Sequence, residues 1–137
     1  MALPVMIINA YSLLKNTQHI FSLRENLMSN LVNTDLVAPL CGVFLPLTDV
    51  PDPVFAQKMV GDGYAIDPRS NRLLSPAFGE VMLLHKSHHA ITIETNTGQQ
   101  ILMHIGIDTV NLGGKGFKPL VGLGDKVQPG TPLIEFD

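Results

Sequence analysis

Two histidines, His89 and His104, are the residues of this chain best placed to do chemistry. Residues 88 to 106 read His-His-Ala-Ile-Thr-Ile-Glu-Thr-Asn-Thr-Gly-Gln-Gln-Ile-Leu-Met-His-Ile-Gly, the pattern of a strand, an Asn96-Thr97-Gly98 turn and a second strand. A two-residue loop at Asn96 and Thr97 pairs Thr95 with Gly98 and carries the ladder to His89 opposite His104. Directly opposed side chains in such a ladder have β-carbons about 4.5–5.5 Å apart. A bulge at Gly98 moves the register by one residue.

Paired imidazoles do what one cannot. A neutral ring nitrogen is a nucleophile or a metal ligand near pH 7, while a neighbouring ring donates a hydrogen bond to an oxyanion. That combination suits phosphoryl transfer, where a positioned donor stabilises charge on the oxygens. It equally suits zinc held by His89 and His104 with a third ligand such as a carboxylate. The plainer alternative is that His89, sharing a strand face with Ile91 and Ile93, is a core histidine.

Alternation puts His85 on the face of His89 and His88 on the other, where a solvated side chain is expected. His19 stands apart from this group. Cys41 beside Gly42 reads as a small core residue, since no nearby basic group would lower its thiol pKa. Gly106 and Asp108 follow His104 closely. A glycine there lets backbone amides approach phosphoryl oxygens, and a nearby carboxylate orients an imidazole; an ordinary strand-to-turn connection explains both as well. Gly61 and Gly63 flank Asp62 without the Lys-Ser/Thr ending of a phosphate loop, so they set a tight turn.

The elements that must position these residues are short strands. From Leu36 onward, apolar runs are broken by Gly, Pro, Asn and Asp. The expected strands are 36–38, 42–45, 63–66, 72–75, 79–85, 89–95, 100–104 and 131–136, an all-β antiparallel sandwich or barrel. Asp49 to Phe55, with two prolines, reads as a turn or short helical excursion, and Asp125 to Gly130 as a turn. The final run is expected either to close a sheet or to form an edge. Residues 1–35 read as an N-terminal extension, partly helical or flexible: Ser22 and Glu25 form a capping-box pattern ahead of Leu23, Leu27 and Leu31 on one face. Residues 36–137 form the β domain.

At 137 residues the chain is long enough for one domain, and 45% hydrophobic against 15% charged residues excludes a disordered tail. A net charge of −3 without a basic stripe argues against nucleic acid. One cysteine makes no internal disulfide, and no apolar run is long enough to span a bilayer, so a cytoplasmic location is expected.

Several stretches together resemble the glucose-specific enzyme IIA family of the bacterial sugar phosphotransferase system. They are Val50 to Gly63 (VPDPVFAQKMVGDG), His89-Ala90, His104 to Val110 (HIGIDTV), Gly114 to Lys118 (GKGFK) and Val127 to Asp137 (VQPGTPLIEFD). The resemblance implies an all-β sandwich with a shallow apolar depression holding two histidines. His104 matches the phosphoryl acceptor, which reacts through Nε2, and His89 the residue that stabilises the transferring group. Ser87 stands where the family has a threonine that orients the phosphorylated ring, and Asp108 and Gly106 match supporting positions. Val54, Phe55, Val60 and Leu102 match the apolar docking surface.

The implied partners are the carrier HPr, which supplies phosphate, and a cysteine of a sugar-transporter IIB domain, which receives it; a regulated permease or kinase is a further implied partner. No cofactor is required, and zinc is implied only at a partner interface. The alternative functions are a regulatory or protein-binding domain, or a shortened copy without a working relay. His85, Leu102 and Ile105 replace family phenylalanines, and Asn111 replaces an acidic residue. Family members continue past the match to Asp137, which implies a sandwich short of strands on that side and self-association should exposed edges pair.

Overall fold

A computed structural model describes residues 6–11 and 35–137. Ten strands and three short helical turns follow one another along these residues: β1 (Met6–Tyr11), β2 (Gly42–Pro46), a 3-10 turn (Leu47–Asp49), α1 (Pro53–Ala56), β3 (Asp62–Pro68), β4 (Arg72–Leu74), β5 (Gly79–Leu84), β6 (Ala90–Thr95), β7 (Gln100–Ile105), a second 3-10 turn (Thr109–Leu112), β8 (Phe117–Pro119), β9 (Lys126–Val127) and β10 (Pro132–Phe136). One sheet has seven strands in the order β2-β3-β1-β7-β6-β5-β9, and a second has three in the order β4-β10-β8. Every pairing is antiparallel. The fold is mostly β, as expected of a sandwich.

Period-two alternation explains how the two sheets meet. Ile91 and Ile93 on β6, Ile101, Met103 and Ile105 on β7, and Val81 on β5 turn one face of the large sheet inward. Leu73 on β4 and Leu133, Ile134 and Phe136 on β10 meet them from the small sheet in one apolar cluster. Burying branched side chains of this size contributes roughly 1.5–3 kcal/mol each. The other face of β6 and β7, carrying Thr92, Glu94, Gln100, Leu102 and His104, is only half-buried.

Seven of the eight expected strands form, with ends shifted by one or two residues. Residues 36–38 do not: they run as irregular chain, tied by the Val37 amide to the Pro76 carbonyl. The Asp49–Phe55 segment yields the helical excursion its prolines suggest, with Asp52 capping α1 as its Oδ1 accepts from the Val54 amide at 2.8 Å. The last strand is no edge, because β10 lies between β4 and β8. Cys41 is exposed rather than a core filler.

The capping-box helix at 22–32 lies outside the described residues. Residues 6–11, within the segment read as an extension, form β1 in the interior of the large sheet, paired with both β3 and β7. Their apolar run, Met-Ile-Ile, is short enough to be read as part of a loose leader, which is why this strand was not expected from sequence. Nor were the two- and three-residue strands β8 and β9.

Candidate functional site

Two hairpins assemble the site. The β6–β7 hairpin turns through Asn96, Thr97 and Gly98, with Gly98 at φ 82°, and the Thr95 amide bonds to the Gln99 carbonyl at 2.8 Å. This loop is one residue longer than a two-residue turn, so the register pairs Ala90, not His89, with His104. The expected His89–His104 register is thereby corrected, by the glycine bulge that sequence alone left open.

The rings meet nonetheless. Strict alternation would set His89 on the face opposite His104. But the strand begins only at Ala90, and His88 adopts φ 57° just before it. The His89 carbonyl still accepts from the Ile105 amide at 2.8 Å, yet the His89 ring packs against His104 with centroids 4.9 Å apart and planes at 81°. His89 is therefore out of register with His104, although its buried ring packs against it.

The β5–β6 hairpin brings in a third imidazole. The His85 amide bonds to the Ala90 carbonyl, and the His88 amide to the His85 carbonyl, closing a tight loop over 86–89. His85 stands at its start and His89 at its end, so their rings meet at 4.4 Å across the mouth of the loop. His88 is half-buried, with no ring contact to this group.

Hydrogen bonds fix the proton positions. His104 Nδ1 lies 2.9 Å from the Gly106 carbonyl oxygen, which can only accept. The proton of neutral His104 therefore sits on Nδ1, and Nε2 carries a free lone pair. Gly106 makes this contact possible: its φ is 77°, and a β-carbon would come within 2.3 Å of Thr109 Cγ2. His89, only 4% exposed, has a buried Nδ1 without a hydrogen-bond partner. A buried lone pair without a partner costs less than a stranded N–H, which favours the proton on Nε2.

The electrostatics keep both rings neutral. Burial, then the neighbouring His104 and His85, push His89 down to about 4. Burial also lowers His104, opposed by its bond to Gly106 and by the charges of Asp52 and Asp108. Neutral His104 presents a nucleophilic nitrogen, and neutral His89 a hydrogen-bond donor beside it.

The remaining expected residues are placed as follows. Ser87 is buried, and its amide donates to His85 Nδ1 at 3.1 Å, so it touches the site through His85. Asp108 is exposed, at φ 55°, and acts on His104 by charge rather than by hydrogen bond. Phe55 is buried among Leu47, Val50 and Ala65 and packs tilted against His104, with centroids 5.1 Å apart, making it a wall of the site more than an exposed docking residue. Val54 is 40% exposed beside it, while Val60 and Leu102 are half-buried.

Two contributors were missed by sequence reasoning. Asp52 had a signal, an Asp-Pro pair opening a helical turn, but its effect on His104 is visible only in three dimensions. Phe117, 6.5 Å from His89, carries no signal in the sequence beyond its place in the Gly114 to Lys118 stretch. Among the described residues, no group of three or more His, Cys, Asp or Glu is arranged to hold a metal ion, and no helix is long and apolar enough to cross a membrane.

Comparison with known proteins agrees with this architecture. The family model for the phosphoenolpyruvate-dependent sugar phosphotransferase system, EIIA 1, matches residues 34–137. A glucose-specific EIIA component of Halalkalibacterium halodurans is 48% identical over 102 residues, 74% of this chain and 59% of that protein. The same component of Oceanobacillus iheyensis is 50% identical over 102 residues, again 74% of this chain and 62% of that protein. The chain thus spans about six tenths of the length of these curated relatives. The solved glucose permease IIA from Mycoplasma capricolum superposes with a TM-score of 0.74 at 39% identity, covering 76% of this chain and 68% of that one. By sequence and by fold, the chain belongs to the EIIA family of the phosphoenolpyruvate-dependent sugar phosphotransferase system.

Proposed function

We propose that this protein is a phosphocarrier in which His104 Nε2 accepts a phosphoryl group from phospho-HPr and passes it to a cysteine of a sugar-transporter IIB domain. The observation that carries this reading is the bond from His104 Nδ1 to the Gly106 carbonyl, which leaves Nε2 unprotonated beside the His89 ring. The Nε2 lone pair attacks phosphorus, a new N–P bond forms, and the N–P bond of the donor imidazole breaks with its electron pair returning to the donor nitrogen. His89 Nε2–H donates to a phosphoryl oxygen as charge gathers there. Onward transfer exchanges the His104 N–P bond for an S–P bond on the acceptor thiolate. Both are labile, so transfer stays near balance in either direction.

The apolar surround supports a protein partner. Val54, Val110 and Leu112 are between 40% and 50% exposed on the segments flanking Phe55 and His104. Docking over such a surface excludes water from the transferring group. A regulated permease or kinase would use the same face, and the work would be cytoplasmic. No metal or other cofactor takes part in the transfer. The imidazoles of His89 and His104 are the donors a zinc ion would use, with a third ligand supplied by the partner.

Incubation with phospho-HPr and intact-mass measurement tests this reading. One acid-labile phosphoryl group is expected on the parent and none on His104→Ala. A folded parent that takes up none from phospho-HPr contradicts it and favours a binding or regulatory role.

A further inference from the structure

An imidazole in a working site is ordinarily oriented by a hydrogen bond to one of its nitrogens. His104 follows that rule through Gly106. His89 does not: its Nδ1 is buried and has no partner. What surrounds the His89 ring instead is aromatic, with His85 at 4.4 Å and 67°, His104 at 4.9 Å and 81°, and Phe117 farther off at 6.5 Å.

Of these neighbours, His85 lies nearest to His89 and is itself held in place. Its amide donates to the Ala90 carbonyl at 2.9 Å, and its carbonyl accepts from the His88 amide at 2.7 Å. Its Nδ1 accepts from the Ser87 amide at 3.1 Å, which fixes the ring plane and puts the proton of the neutral ring on Nε2. A residue pinned by two backbone bonds, with its ring held at Nδ1, lies edge-on against a ring whose own Nδ1 has no partner.

We propose that His85 is a positioning residue of this site: its ring, locked by the Ser87 amide, holds the otherwise unanchored His89 ring in the orientation that aims Nε2–H at the group on His104. The action is by packing, through His89, and His85 touches no reacting atom. Buried Ser87 thereby gains a role as the support of His85. The consequence for transfer rests on the phosphocarrier reading; the effect on His89 does not.

Full-length parent, His85→Ala and His85→Phe separate the two. Imidazole nitrogen NMR reports the His89 tautomer in each chain, and phosphoryl uptake is followed across a range of phospho-HPr concentrations. His85 is only half-buried, so its truncation leaves the apolar core in place. In His85→Ala, the His89 signals should move to a mixture of tautomers. The uptake rate at saturating donor should fall about tenfold, the scale of a modest misplacement of a catalytic group, with half-saturation unchanged. His85→Phe, which restores a ring without the nitrogen, should recover both. His85→Ala with parent signals and parent rate overturns the proposal. So does His85→Phe as impaired as His85→Ala, which would show that a nitrogen and not a ring is needed. If the parent takes up no phosphate, the carrier reading falls, while the His89 signals still decide the role of His85.

Discussion

His89 and His104 face each other with ring centroids 4.9 Å apart, yet they are anchored in opposite ways: His104 by a hydrogen bond from Nδ1 to Gly106, His89 by neighbouring rings alone. The result is complementary protonation, with a lone pair on one ring and a donor on the other. Substitutions at the two should therefore differ in kind.

His104→Gln should abolish phosphoryl uptake, because no nucleophilic nitrogen remains. His89→Ala should keep the acceptor but slow transfer by about 10²–10³, the cost of losing one donor to a charged transition state. Rapid-quench kinetics with phospho-HPr would distinguish the two. Equal, complete loss in a folded His89→Ala chain would contradict the division of roles.

Gly106→Ala should destabilise the protein by about 1–3 kcal/mol, since φ 77° is unfavourable for alanine and the new methyl would strike Thr109. Urea denaturation measures this. The same variant should weaken the His104 Nδ1 bond and show a mixed His104 tautomer by NMR.

Acid should weaken the fold through His89. Burial holds it down to about 4, below the ordinary 6.5 of a histidine, so the unfolded chain binds the proton more readily between those limits. Stability is unaffected well above pH 6.5 and falls as pH drops toward 4. His89→Leu should flatten that slope in thermal melts between pH 4 and pH 7, and an unchanged slope would assign acid sensitivity elsewhere.

β1 should matter to the site although it lies far from it in sequence. Ile7 pairs with His104 and Ala65, so β1 is flanked on both sides and none of its ladder is at an edge. Ile8→Pro removes a strand N–H from the interior of the sheet and should cost at least about 1–2 kcal/mol. Hydrogen exchange should then show lost protection in β7. Unaltered β7 protection would mean that β1 contributes nothing to holding His104.

Much of this was legible in the residues. The alternating apolar runs at Ala90–Thr95 and Gln100–Ile105 gave their strands, the prolines around Asp52 gave the helical turn, and the family motifs singled out His89 and His104. The register was not legible, because one glycine at φ 82° decides between a two- and a three-residue loop. Neither was β1, whose partners β3 and β7 lie far along the chain. Alternation placed His85 beside His89, but the tight loop turning at left-handed His88, which brings the two rings to 4.4 Å, was not legible. Cys41 was misjudged because its place depends on the loop it ends, not on its own hydrophobicity.

The most direct measurement is nitrogen and phosphorus NMR of imidazole-labelled full-length protein after incubation with phospho-HPr. A single phosphohistidine at His104, bonded through Nε2 with Nδ1 still protonated, is the predicted result. Phosphate on Nδ1 of His104, or on His89 or His85, would contradict the assignment of nucleophile and donor.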